Sequence, residues 1–501
     1  MGSAVTSHFI GKVFASLGYY VFNYRDYPSL IRGGHNFNVL KISDRPVYSH
    51  SNQYDIVLAL DQKTIDLHRK NLTKSGRIVK AETFESILKK IGGPKILEND
   101  ILIGYLFKLF GIDLKILLAA AEKEFGKKSD LIKKAIEEGY KLAKTKEKLK
   151  KTSKGKYFIS GNEGIALGAL AAGMDIHFAY PMTPASPVLH FLAKRQLADN
   201  TLVFQPENEI AVVNMALGAS FAGAKAMVGT SGGGFALMTE AFSMAGMAEL
   251  PLVVYLAQRT APSSGVPTYT GQGDLKFALN AGHGEFPRIV VAPGDPKDCI
   301  IRTQEAFYLS CKYRTPAIIL GDKHLGESSY TFDRLEKSIL LPKQKPVFRV
   351  NSYEHRQDGH TTEDPQWIVK MNDRRLKKIK LISAEIKKLK PVTVFGEGQN
   401  LIVSWGSTRG AIMDALPKLK KFRFLQISYL SPFPKELVSR ELKKSKKIIL
   451  VENNATGLLG DVIAEQTGFM IKDKVLKYDA RPFVPEDIIK KLKNEARRSK
   501  N

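Results

Sequence analysis

Apolar positions fall in short blocks along this chain, and the period within the blocks alternates between helix-like and strand-like. SAVTSHFIGKVFASL (3–17) spaces them at helical intervals and predicts a helix. Strands are predicted at YYVFNY, FNVLKIS, YDIVLAL (54–60) and GRIVK (76–80), with PSLIRGGHN as the turn between the first two. Amphipathic helices then extend to about residue 150. The most apolar stretch, ILIGYLFKLFGIDLKILLAAA (101–121), is broken by Lys108, Asp113 and Lys115, so it predicts paired helices and no membrane span.

A second segment opens with YFISGNEGIALGALAAG (157–173). Strands are predicted at IHFAY, LVFQP, KAMVGT, PLVVYLA (251–257), FPRIVVAP (286–293) and PAIILGD. Helices are predicted at EIAVVNMALGASFAG, FALMTEAFSMAGMAE and about 297–313, with SGGG as a loop before the second of these. Apolar runs alternating with helices at this spacing indicate a doubly wound parallel sheet. A hydrophilic connector over about 341–390 leads to a third, smaller α/β unit: strand NLIVSWGS, helix TRGAIMDALPKL, strand FRFLQIS, strand KKIILVENN and helix LLGDVIAEQTG. No short internal period repeats.

At 501 residues the chain exceeds what one hydrophobic core organises, so two to four domains are expected. An apolar fraction of 44% and a charged fraction of 25% are those of a globular protein. Two cysteines, Cys299 and Cys311, make no disulfide framework, which fits a reducing cytoplasm, and they fall short of the four thiolates of an iron–sulfur cluster. No signal-peptide pattern opens the sequence. The net charge of +26 raises a nucleic-acid reading. The charge is concentrated in lysine-rich helical stretches at 127–156 (twelve lysines against four acids) and 366–390, without the interleaved aromatics of a base-stacking surface. A solvated linker face explains it better, and such a surface can steer an acidic protein partner.

Candidate chemistry gathers at strand ends in the second segment. AYPMTPASP (179–187) places three prolines in nine residues, and Pro184 holds Thr183 extended with its hydroxyl on a pre-set backbone. Glycine-rich turns at GNEG, TSGGG and GST could offer backbone N–H groups to an anion, yet none completes a P-loop or a dinucleotide fingerprint. Glu207 and Glu209 stand at a strand-to-helix junction, where acids also complement the helix dipole. Arg259 lies just past an apolar strand, where α/β folds bind ligands, and is a candidate carboxylate clamp.

These residues resemble a known family. AYPMTPASP is similar to the Tyr-Pro-Ile-Thr-Pro motif in the alpha subunit of 2-oxoacid:ferredoxin oxidoreductases. The resemblance continues through GNEGIALGALAAG, ENEIAVVNMALGAS, TSGGGFALMTEAFSMAGMAELPLVV, QRTAPSSGVPT and GHGEFPRIVVAPGD. GYYVFNYRDYPSLIRGGHN resembles the family's gamma domain, and SYLSPFP with VENNATGLLGD its transketolase C-terminal-like domain. Nearly the whole chain is covered, in the gamma–alpha fusion order of the 2-oxoglutarate-type branch.

The resemblance implies three α/β domains, a gamma-like domain over 1–150, a doubly wound, pyrimidine-type thiamine diphosphate-binding domain over 157–340 and a transketolase C-terminal-like domain over 396–501, with a basic connector over 341–395 between the last two. It implies a cytoplasmic enzyme that decarboxylates a 2-oxoacid on thiamine diphosphate, releases the acyl group on coenzyme A and passes electrons to ferredoxin. Glu209 matches the acid that holds the aminopyrimidine, with Glu207 the weaker choice and Pro181 beside the cofactor. Thr183 matches the substrate-contacting threonine, Arg259 the arginine that pairs with the substrate carboxylate, and Tyr180 and Pro181 line the substrate. Arg32, Gly33 and Gly34 form a signature tied loosely to coenzyme A or to subunit packing. No metal ligand is implied on this chain. The sequence contains neither the Gly-Asp-Gly that binds magnesium and the diphosphate nor a CxxC. Mg2+ and a [4Fe-4S] cluster are therefore expected on a beta subunit in a hetero-oligomer. A gamma domain opens with a strand and a glycine-rich loop, whereas MGSAVTSHF already stands at the loop, so either the start is clipped by about ten residues or that strand is truly missing, and the sheet of the N-terminal domain is expected to lack a member. Among substrates 2-oxoglutarate is favoured by the fusion, with pyruvate or branched-chain acids as alternatives. A transketolase-type thiamine enzyme and a basic nucleic-acid-binding protein are the rival classes.

Overall fold

The computed structural model describes residues 2–29, 34–80, 84–126, 129–145, 149, 154–335, 339, 341–342, 344, 349–356 and 358–498. They pack as two compact units: residues 1–158 with 329–334, and residues 159–328 with 335–501.

The first unit runs α1 (Ser3–Ser16), β1 (Tyr20–Asp26), β2 (Phe37–Ser43), β3 (Tyr54–Ala59), α2 (Gln62–His68), β4 (Leu72–Lys80), α3 (Glu85–Ile91), α4 (Glu98–Leu109), α5 (Leu114–Phe125), α6 (Ser129–Leu142) and β5 (Tyr157–Ser160). β1 pairs antiparallel with β2 along its whole length. On its other side β1 meets a strand from far along the chain, Ser329–Phe332, with Phe22 opposite Tyr330. β3 and β4 form a separate parallel pair. Phe9, Ile10 and Phe14 of α1 are buried, and Phe14 stacks on Phe107 of α4 at 5.0 Å between centroids. α4 and α6 approach backbone to backbone. A Cβ on Gly104 would lie 2.0 Å from the Ile136 carbonyl, and one on Gly139 2.0 Å from the Ile101 carbonyl.

The second unit continues α7 (Gly161–Ala171), β6 (Ile176–Phe178), α8 (Ser186–Arg195), β7 (Leu202–Phe204), α9 (Glu209–Phe221), β8 (Ala226–Thr230), α10 (Gly232–Met247), β9 (Leu252–Gln258), α11 (Leu275–Asn280), β10 (Ile289–Val291), α12 (Pro296–Tyr313), β11 (Pro316–Asp322) and α13 (Lys323–Glu327). After β12 (Ser329–Phe332), the strand lent to the first unit, come α14 (Pro365–Ile386), β13 (Val392–Phe395), β14 (Asn400–Ser404), α15 (Thr408–Ala415), β15 (Phe422–Ile427), β16 (Tyr429–Ser431), α16 (Lys435–Lys443), β17 (Ile448–Glu452), α17 (Leu458–Thr467), β18 (Asp473–Leu476) and α18 (Pro485–Arg498). The larger sheet has the order β7-β6-β8-β9-β11-β10-β16, parallel throughout except for antiparallel β16. β7 lies on one side of β6 and β8 on the other. The strand order therefore reverses between β6 and β8, and the crevice beyond their C-terminal ends is where such sheets bind ligands. The smaller sheet, β13-β15-β14-β17-β18, is parallel but for β13.

Two turns expected from glycine content are helical. GNEG forms the first turn of α7, held by a capping box in which Ser160 and Glu163 exchange side-chain and backbone hydrogen bonds. Its glycines serve packing: a Cβ on Gly164 would meet the Pro296 carbonyl of α12 at 2.5 Å. SGGG is helical from Gly232. The lysine-rich stretch 366–390 is mostly α14, which docks by burying Met371, Ile382 and Ile386 and pairs its buried Arg375 with Glu354. Its charge is thus partly structural. Among the described residues, no helix is long and apolar enough to cross a membrane.

Candidate active site

Four loops leave the C-terminal ends of β6, β7, β8 and β9, and each carries part of the site. The loop after β6 contains Tyr180, Pro181, Met182, Thr183 and Pro184, with a cis Thr183–Pro184 peptide. Carbonyls on both sides of that peptide are fixed. Arg259 donates from its Nη1 to the Thr183 carbonyl at 2.8 Å, and Asn162 donates to the Pro184 carbonyl at 3.0 Å. Asn162 is itself held by the buried hydroxyl of Tyr255, which donates to its Oδ1 at 2.7 Å. Thr183 thus sits on a backbone anchored from α7 and from the end of β9.

After β7, Asn208 caps α9 by accepting from the Ala211 N–H at 2.9 Å, which places Glu209 at the first helical position. Glu209 is 4% exposed, whereas Glu207, two residues earlier, is exposed. Glu209 Oε1 is buried and has no hydrogen-bond partner among the described residues. Buried carboxylate oxygens normally have partners, so a vacant acceptor at a ligand crevice calls for a donor. The loop after β8 shapes the same spot. A Cβ on Gly234 would stand 2.6 Å from Glu209 Oε1 and 2.2 Å from the Thr230 hydroxyl, so only glycine fits there. The Ser231 hydroxyl is likewise buried without a partner among the described residues. Thr230 in turn touches the Met182 sulfur at 4.0 Å, joining this wall to the proline loop.

β9 ends at the fully buried Gln258, and the half-buried Arg259 follows it directly. Burial pulls the Arg259 pKa down from its ordinary value, and the charge of Asp274 pulls it back up. The loop from Thr260 to Asp274 returns to the site through Gln258, whose side-chain oxygen accepts from the Asp274 N–H at 2.9 Å. Gln272 ties the same loop to the smaller sheet. It donates from its backbone to the Asn453 carbonyl and from its side chain to the Trp405 carbonyl, and accepts from Asn453 N–H and the Asn454 amide.

Of the residues singled out by sequence, Thr183 and Arg259 are brought into hydrogen-bond contact, and Glu209 lies in the same crevice beside Gly234 and Thr230. Tyr180, 39% exposed, and Pro181 stand at the rim and make no hydrogen bond among the described residues. Arg32 and Gly33 lie outside the described residues. Gly34 has φ +85° and packs so closely on Pro28 that a Cβ would fall 2.2 Å from that ring. Sequence reasoning missed Asn162, Gln258, Gln272 and Asp274. The available signal was polarity out of place, each being an amide or acid beside apolar or glycine-rich segments. Among the described residues no group of three or more His, Cys, Asp or Glu side chains is arranged to hold a metal ion.

Fold and crevice together define a doubly wound α/β domain with an acid, Glu209, a threonine, Thr183, and an arginine, Arg259, at the C-terminal edge of its parallel sheet. Residues 167–384 match the family described as pyruvate flavodoxin/ferredoxin oxidoreductase, thiamine diphosphate-binding, and residues 1–142 match the pyruvate ferredoxin/flavodoxin oxidoreductase family. The 2-oxoacid:ferredoxin oxidoreductase subunit alpha of a Sulfolobus species is 30% identical over 97% of this chain and 94% of its own length. The 2-oxoglutarate synthase subunit KorA of Archaeoglobus fulgidus is 31% identical over 67% of this chain and 98% of its own. Among solved structures, the 2-oxoglutarate:ferredoxin oxidoreductase from Magnetococcus marinus, with 2-oxoglutarate, coenzyme A and succinyl-CoA bound, superimposes with a TM-score of 0.89 at 26% identity. That match covers 99% of this chain and 98% of the other. The chain belongs to the alpha subunits of the 2-oxoacid:ferredoxin oxidoreductases.

Proposed function

We propose that this chain supplies the substrate clamp and the aminopyrimidine acid of an enzyme that oxidatively decarboxylates 2-oxoglutarate, forms the acyl-CoA and reduces ferredoxin. One observation carries the reading. The buried, unpartnered carboxylate oxygen of Glu209 and the guanidinium fixed on the Thr183 carbonyl share the crevice at which the sheet order reverses. Glu209 fits the aminopyrimidine end of thiamine diphosphate because its Oε1 is a vacant buried acceptor and Gly234 leaves room beside it. A bound cofactor would supply a deprotonated, nucleophilic carbon and a sink for the electron pair left when carbon dioxide departs.

The chain's own residues do the rest. Glu209 holds a proton at the aminopyrimidine ring nitrogen, which favours the tautomer able to take up a second proton. Arg259 pairs with the substrate carboxylate through the guanidinium nitrogen that Thr183 leaves free. Thr183 orients the 2-oxo group with its hydroxyl, and the donor-poor proline loop with Tyr180 and Pro181 keeps water from the reacting carbon. The diphosphate, Mg2+ and a [4Fe-4S] cluster are assigned to a beta subunit, since the sequence has no Gly-Asp-Gly and only Cys299 and Cys311, both buried. The gamma-like domain is assigned to 1–150, the pyrimidine domain to 157–340, the connector to 341–395 and the transketolase C-terminal-like domain to 396–501. Arg32, Gly33 and Gly34 are assigned to coenzyme A or to the subunit interface.

Co-purification with the beta subunit, followed by dye reduction with coenzyme A and a panel of 2-oxoacids, tests the reading. The highest kcat/KM is expected for 2-oxoglutarate, and the isolated chain is expected to carry no iron. Reduction with none of the acids, or stoichiometric iron in the single chain, overturns it. A preference for pyruvate or a branched-chain acid reassigns the substrate within the family.

A further inference from the structure

We infer that Asp274 is a positioning residue of the substrate clamp, a counter-charge that balances Arg259 while the crevice is empty and repels the incoming 2-oxoacid carboxylate until it takes up a proton. The inference rests on the reading of Arg259 as the carboxylate clamp. Three observations place Asp274 there. Its backbone N–H is held by Gln258, the residue immediately before Arg259. Its carboxylate fills the space in front of the TSGGG helix start, since a Cβ on Gly232 would lie 2.7 Å and 3.2 Å from its two oxygens. No hydrogen bond satisfies that carboxylate among the described residues, although Asp274 stands at the cap position of α11.

The surroundings leave Arg259 as its electrostatic partner. Gln258 from β9 and Gly232 from α10 are neutral, and Lys276, the second residue of α11, is engaged with Asp461. Burial pushes the Asp274 carboxyl up to about 6, and the positive charge of Arg259 opposes that rise. The two groups exert their fields on one another without forming an ion pair among the described residues. The guanidinium is anchored on the Thr183 carbonyl instead.

The sign follows from charge. Above about pH 6 Asp274 is ionised, and a substrate carboxylate entering beside it meets a nearly neutral pair. Below that pH it meets the guanidinium alone. Affinity for a 2-oxoacid therefore improves as pH falls, and by linkage binding must raise the Asp274 pKa and take up a proton. A unit charge several ångströms away in a partly wet crevice corresponds to roughly a three- to thirtyfold change in affinity.

The test uses the assembled oxidoreductase with its beta subunit. For the wild-type enzyme, KM for the preferred 2-oxoacid should rise roughly three- to thirtyfold from about pH 5.5 to about pH 8. Asp274→Asn should hold KM near its low-pH value throughout, with kcat changed by no more than about twofold. Calorimetric binding of N-oxalylglycine, an unreactive analogue of 2-oxoglutarate, in two buffers of different ionisation enthalpy should show proton uptake in the wild type and none in Asp274→Asn. Asp274→Ser, which removes the charge with a different shape, should behave as the Asn variant does. A wild-type pH slope and proton uptake that survive in both variants overturn the inference, as does a rise in KM in both at high pH. Arg259→Gln separates the two levels. If it leaves KM unchanged at every pH, the clamp reading fails. If it raises KM while Asp274→Asn keeps the slope, only the role of Asp274 fails.

Discussion

Glu209 and Gly234 occupy one contact, and each makes a separable prediction. Glu209→Gln keeps size and polarity but weakens the hold on the ring-nitrogen proton. Proton exchange at the cofactor's reactive carbon in the assembled enzyme should fall roughly a hundred- to ten-thousandfold, with thermal stability almost unchanged. A helix-start acid of purely structural use would instead cost about 1 kcal/mol or less and leave exchange normal. Glu207→Gln should leave both unchanged. Gly234→Ala drives a methyl group into the Glu209 carboxylate and the Thr230 hydroxyl. Equilibrium dialysis of the assembled variant should show weakened thiamine diphosphate retention, together with about 1–3 kcal/mol of lost stability. His177 is fully buried in β6, and among the described residues neither ring nitrogen has a hydrogen-bond partner of good geometry. Burial lowers its pKa to about 4, and only a weak backbone interaction at Met227 pulls the other way. Its folded-state pKa is depressed, so its contribution is present above about pH 6.5 and lost as pH falls toward 4, up to ~3 kcal/mol in all. Urea midpoints at about pH 7 and about pH 5 should differ less in His177→Leu than in the wild type.

Elements were legible where their signal was local. The apolar runs that became β6, β8, β9 and β11 are each short and flanked by helix, and every residue in them is buried, as in a strand covered on both faces of a parallel sheet. Thr183, Glu209 and Arg259 were visible because each stands where an apolar run stops. The glycines of GNEG misled because glycine marks both tight turns and close helix contacts, and only the position of α12 decides between them. Asn162 and Gln272 were hidden for a related reason, since their partners lie 22 or more residues away in sequence. β12 was illegible because Ser-Tyr-Thr-Phe has no distinctive pattern until β1 stands beside it. The α7–α12 contact yields its own prediction. Gly164→Ala places a methyl group 2.5 Å from the Pro296 carbonyl and 2.9 Å from the Cys299 Cβ, both in a helix that cannot recede easily. The cost should be about 1–3 kcal/mol, read as a lowered Tm of the purified chain.

For the molecule as a whole, Gln272 links the loop after β9 to the smaller sheet. It is fully buried, and its side chain serves the Trp405 carbonyl and the Asn453 N–H at once. Gln272→Ala leaves both groups buried and unpaired, a loss of about 2–5 kcal/mol. Because the same loop carries Arg259 and Asp274, the substrate KM of the assembled enzyme should rise along with the fall in Tm. The lending of Ser329–Phe332 to the first unit has a different consequence, one of time. On the ribosome, β1 and its helices emerge long before the strand that pairs with β1, and about 170 residues of the second unit must be made in between. At cellular elongation rates that interval is roughly ten to thirty seconds. Throughout it the nascent chain displays an open strand edge, so the N-terminal portion is the stretch for which a holding chaperone matters most during synthesis.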